Sequence, residues 1–138
     1  MNFNEMFDAA CASEKVHHAQ VVACLAKRGR PVAYGVNQKK SHPFQKRFGK
    51  MEECITLHSE VDVIKNALKT CTVKELEKMD LYVMRAKRSG KGKPFIPGLA
   101  MPCKGCMKAI VTFSINRVYY STDNSYEWNC LDQGWCNW

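Results

Sequence analysis

The chain has 138 residues, enough for one packed core and too few for two domains of ordinary size. No apolar run is long enough to span a bilayer, and Met1-Asn2-Phe3-Asn4-Glu5 lacks the charged-then-apolar pattern of a secretory signal. A membrane protein and a secreted disulfide scaffold are therefore not expected, whereas a cytoplasmic chain with reduced cysteines is (the host cytoplasm, if the source is viral). The formal charge of +8 fits nucleotide phosphates, a polynucleotide or simply a solvated basic surface.

Met6-Phe7, Ala9-Ala10 and Cys11 recur at helical spacing and predict a first helix over about 4–15, with His17-His18 after it as a surface pair. Ala19 to Ala26 and Pro31 to Val36 have the character of short apolar strands, joined by a Lys27-Arg28-Gly29-Arg30 turn. The second strand ends on Gly35-Val36-Asn37, where Asn37 taken alone is an ordinary turn residue. From Gln38 to Gly49 the chain is too basic and too punctuated for an element interior. Lys39, Lys40, Lys46 and Arg47 could hold a phosphate there and His42-Pro43 could shape a pocket rim, or the loop could face water.

Val61, Val63-Ile64 and Ala67-Leu68 are apolar at helical period, which puts His58 at a helix start and Glu60 within the first turn. Leu81-Tyr82-Val83-Met84 is a short strand. Arg85 to Ala100 carries Lys87, Arg88, Lys91 and Lys93 among glycines and prolines, a loop that either grips an anionic substrate or has no structure of its own. Beyond Pro102, Met107, Ala109-Ile110-Val111 and Phe113 mark a second helix ending near Ser114. Arg117-Val118-Tyr119-Tyr120 follows as a strand. Helices alternating with strands favour parallel pairing in this half, after an antiparallel opening hairpin. Tyr126, Trp128, Trp135 and Trp138 in the last stretch suit core cover or a subunit contact better than base stacking. Cys11, Cys24, Cys54 and Cys71 sit among apolar neighbours as small core residues, while Cys130 and Cys136 leave a second metal or a redox pair open.

One imidazole and two thiols can fill three corners of a tetrahedron around Zn2+, and three protein ligands plus a water make a catalytic rather than a structural site. His58 opens one predicted helix. Cys103 and Cys106, in Pro102-Cys103-Lys104-Gly105-Cys106, share a face at the start of the other, where N-terminal N–H groups favour thiolate. Glu60, two residues from His58, can reach a water in the fourth corner. A lone C-x-x-C would suit a structural zinc or a redox pair. H-x-E followed by P-C-x-x-C, in this order and before these helices, is the pattern of the zinc nucleobase deaminases. On these residues the sequence resembles the cytidine/deoxycytidylate deaminase family, and its Ser41-His42-Pro43 loop resembles that of small phage and bacterial deoxycytidylate deaminase-like proteins.

That resemblance implies an α/β fold over 1–138 as a single domain, a three-layer α/β/α arrangement around a mixed sheet. It implies Zn2+ on His58, Cys103 and Cys106, with Glu60 as the catalytic proton carrier. It places the sugar on Asn37 and the base carbonyl near the N–H of Ser59, where the family more often has Ala or Val, with His42 and Pro102 completing the substrate pocket. The implied reaction is hydrolysis of dCMP to dUMP and ammonia, in a homo-oligomer. A deaminase acting on cytosine or adenine in single-stranded DNA or RNA is the alternative, and a non-catalytic zinc-bearing binding module a second.

Overall fold

The computed structural model describes residues 1–13, 15, 20–38 and 58–131. Helix α1 (Phe3–Ala12) starts where the Asn2 side chain accepts the Glu5 N–H at 3.1 Å. It stops at Ser13, earlier than its apolar spacing predicts, because Gln20 Nε2 donates to the carbonyls of Cys11 and Ser13 at 3.0 and 2.9 Å and closes its C-terminus. Strands β1 (Gln20–Lys27) and β2 (Arg30–Val36) form the expected antiparallel hairpin. Arg28 and Gly29 turn it with φ of 54° and 77°, the paired left-handed conformation that matches strand twist.

Helix α2 (Ser59–Ala67) and the short α3 (Val73–Leu76) precede β3 (Asp80–Lys87) and β4 (Ile96–Gly98). Helix α4 (Lys104–Thr112), β5 (Arg117–Tyr120) and β6 (Asn129–Leu131) complete the described elements. The sheet order is β2-β1-β3-β5-β6, with β4 paired to β3 beyond the end of β5. β3 and β5 run parallel and the other pairs antiparallel, so the sheet is mixed, with the parallel step where helix–strand alternation placed it.

Strand periodicity builds the three layers. Ala23, Leu25, Leu81, Val83 and Val118 point to one face and bury against Val61, Ile64 and Ala67 of α2 and Met107 and Ile110 of α4. Val22, Cys24, Ala26, Tyr82, Met84 and Ala86 point to the other, where Met6 and Ala10 of α1 cover them. The tail joins that second face: Trp128 sits edge-on to Phe3 and Tyr82, at 5.0 and 5.2 Å between ring centroids, and its Nε1 donates to the Met1 carbonyl at 3.2 Å. Trp128 thus covers core; Trp135, Trp138 and Cys136 lie outside the described residues.

Three short elements differ from expectation. The span 85–100 is a loop only in its middle, because β3 continues to Lys87 with buried Met84 and Ala86 alternating with Arg85 and Lys87, and β4 pairs back onto it. Helix α3 has a capping box in which Thr72 accepts the Glu75 N–H and Glu75 accepts the Thr72 N–H, each at 3.2 Å. Strand β6 adds Asn129–Leu131 to β5.

Gly35 governs how closely β2 meets α2. A Cβ there would fall 2.5 Å from the Ser59 carbonyl oxygen and 2.8 Å from Val63 Cα, and closer still to Val63 N. These are backbone atoms of the helix carrying the site, so nothing can rotate away. Gly35→Ala is expected to destabilise the fold by about 1–3 kcal/mol, seen as a lower urea midpoint at unchanged slope.

Candidate metal and active site

Two helix starts meet at one end of the sheet. His58 is the N-cap of α2, with extended φ and ψ of −81° and 155°, yet its side chain makes no capping bond. Its imidazole turns toward α4 instead, with Nδ1 at 3.6 Å from Cys103 Sγ and 3.4 Å from Cys106 Sγ. Cys103 is itself the N-cap of α4, and its sulfur accepts the Cys106 N–H at 3.4 Å. Pro102, buried, therefore stands one residue before the cap rather than inside the helix.

The three donor atoms lie within 4.8 Å of one another, and among the described residues this is the one group of three or more His, Cys, Asp or Glu side chains so placed. A tetrahedral zinc with Zn–S of about 2.3 Å and Zn–N of about 2.0 Å separates its sulfur and nitrogen ligands by about 3.6 Å. The observed separations match that edge, so the donor set fits Zn2+ in both chemistry and spacing. The Cys103 thiol is pushed down to about 3, chiefly by the hydrogen bond with the Cys106 side chain. Burial opposes that shift, while the His58 side chain and the Cys106 N–H reinforce it. These contacts favour the thiolate of Cys103, the form that binds metal.

Glu60 lies in the first turn of α2 and is only 6% exposed, with its Oε1 accepting from the Ser59 hydroxyl at 2.6 Å. Glu60 follows the metal-type donor His58 by two residues, and a buried carboxylate so placed is a candidate for proton transfer.

What seats α2 comes largely from β2. Asn37 Oδ1 accepts the Ser59 N–H at 2.7 Å, a cap supplied from 22 residues away in place of the one His58 does not make. The family resemblance pointed Ser59 N–H at a base carbonyl and Asn37 at a sugar; here the two groups are bonded to each other. Asp62, 2% exposed, accepts from Val36 N–H at 3.0 Å and from Gln38 Nε2 at 3.1 Å, with Lys65 Nζ at 3.3 Å. Asn66 Nδ2 donates to the Tyr34 carbonyl at 2.8 Å. The outward backbone groups of edge strand β2 are thereby taken up by the helix.

Asp62 and Asn66 were not singled out in the sequence. The available signal was their i, i+4 spacing on a helix whose neighbours are apolar. Asp62→Ala leaves the Val36 N–H without its acceptor and is expected to cost about 1–3 kcal/mol, measured by chemical denaturation of the zinc-loaded protein. His42, together with Lys39, Lys40, Lys46 and Arg47, lies outside the described residues.

A mixed sheet under two helices whose starts gather His58, Cys103 and Cys106, with Glu60 in the first turn after His58, defines a zinc-dependent deaminase. The model of the cytidine and deoxycytidylate deaminase zinc-binding region matches residues 2–122, and the chain belongs to that family. The fold is similar to the crystal structure of dCMP deaminase from the cyanophage S-TIM5 in apo form, with a TM-score of 0.57 and 18% identity over 91% of this chain and 82% of that one. No curated protein matches significantly. Among the described residues no helix is long and apolar enough to cross a membrane.

Proposed function

We propose that this deaminase acts on dCMP, releasing ammonia and leaving dUMP. The observation that carries the reading is a buried Glu60 on the same helix turn as His58, beside the two thiols of α4. His58, Cys103 and Cys106 would hold zinc, which in such a site supplies the Lewis acidity that makes hydroxide available at neutral pH. Glu60 takes the proton of the attacking water and passes it to the pyrimidine ring nitrogen. After the C–O bond forms at the amino-bearing carbon, Glu60 takes the proton of the newly added hydroxyl and delivers it to the amine, so that the C–N bond breaks, ammonia leaves and the carbonyl of the uracil ring forms. Asn37, whose oxygen holds α2, offers its amide nitrogen to the sugar, and Ser59 and Pro102 complete the proposed substrate contacts. His42 keeps its place in the proposed pocket through the resemblance alone.

The monophosphate is favoured by the chain's excess of positive charge, by exposed Arg88, Lys91 and Lys93 beyond β3, and by the fold shared with a phage dCMP deaminase. Ammonia release from dCMP, deoxycytidine, CMP and single-stranded oligonucleotides tests it. The expected result is the highest kcat/KM on dCMP. Turnover on oligonucleotides exceeding that on monophosphates, with steep salt dependence, would transfer the assignment to polynucleotide deamination.

A further inference from the structure

The sheet register carries a row of residues across the floor of this end of the molecule. Asn37 donates its N–H to the Val21 carbonyl at 3.4 Å, Val21 lies opposite Arg85, and Arg85 lies opposite Gly98. Directly opposed residues share a face. This face is the one on which Val21 packs with α2 and α4, and on which Asn37 reaches the first N–H of α2. Arg85 therefore stands two strands from Asn37, about 10 Å along the row, on the face that α2 and α4 cover.

Its surroundings are unusual for a cation. The stem runs past Gly98, whose lack of a side chain leaves it room: a Cβ there would meet Arg85 Cγ and Cδ, and Lys87 Cδ, at 3.2 Å. The Nε is buried and has no hydrogen-bond partner among the described residues. Asp123, the acid whose carboxyl feels Arg85, is already engaged by Lys87 Nζ at 2.6 Å and by the Leu99 N–H at 3.1 Å. Among the described residues no carboxylate is bonded to this guanidinium, and a cation set into a sheet costs free energy unless something anionic meets it.

We infer that Arg85 reads the phosphate of the nucleotide, its guanidinium receiving the oxyanion of a substrate whose sugar is at Asn37. This rests on the proposed action on a monophosphate and adds to it the specificity-determining residue. A planar fork of donors suits phosphate oxygens better than a lone ammonium does.

The test compares wild type, Arg85→Gln and Arg85→Lys, matched for zinc content and folded fraction, on dCMP and on deoxycytidine. Binding of dUMP and of deoxyuridine is measured alongside. Arg85→Gln is expected to raise KM for dCMP tenfold to a hundredfold and to erase the preference of the wild type for dUMP over deoxyuridine, while Arg85→Lys keeps part of both. Equal losses on nucleotide and nucleoside, or failure of Arg85→Lys to fold, would make Arg85 a packing residue and overturn the inference with the dCMP assignment intact. A wild type that binds dUMP no better than deoxyuridine would overturn both.

Discussion

Glu60→Gln is expected to lower kcat on the preferred substrate by about two to four orders of magnitude while zinc remains bound at one equivalent. The substitution keeps the volume of the side chain and an oxygen able to accept from the Ser59 hydroxyl, so the start of α2 need not move. What it removes is the ability to take up and return a proton. Because the lost interaction belongs to the reacting state, kcat and kcat/KM should fall together, with substrate binding little changed. Metal analysis beside steady-state kinetics checks this. Zinc lost along with activity would make Glu60 a structural group of the site.

The second large effect concerns a ligand. Cys106 is fully buried, 3.4 Å from His58 Nδ1, and its side chain is the largest influence lowering the Cys103 thiol toward thiolate. Cys106→Ala leaves one imidazole and one sulfur, too few for a stable zinc site. Zinc content is expected to fall from one equivalent toward zero on dialysis, turnover to reach background, and added zinc to fail to restore it. The melting temperature should drop as well, since metal that binds only the folded chain stabilises it. Cys71→Ala, at a half-buried cysteine outside the triad, should keep zinc and activity. Loss of zinc there too would mean that thiols in general, and not this constellation, hold the metal.

The donor set was legible in the sequence because metal chemistry restricts it to few residue types and because each donor opens a helix with plain apolar periodicity. Val61, Ile64 and Ala67 announce α2, and Met107 and Ile110 announce α4, independently of what the helices carry. The antiparallel hairpin and the parallel step followed from the same periodicities, while the three-layer arrangement was implied by the family resemblance. Illegible were the contacts between elements distant in sequence. Nothing in Asp62 or Asn66 alone says that they dock to Val36 and Tyr34, and nothing in Asn37 says that it caps a helix 22 residues on. Strand β4 and the end of β3 were hidden by Arg85, Lys87 and Lys93, whose charges resemble a loop until the alternation with Met84 and Ala86 is set against a partner strand. Two signals were present and unused: Thr72-x-x-Glu75 has the form of a capping box, and Gly35 is a glycine inside a strand pattern.

X-ray absorption at the zinc edge of the purified protein tests the site most directly, since it counts the sulfur and light-atom neighbours of the metal. Two sulfurs at about 2.3 Å and two nitrogen or oxygen neighbours at about 2.0 Å are expected, one from His58 and one exchangeable from solvent. Three or four sulfurs, or a fourth ligand from the chain itself, would contradict a hydrolytic centre.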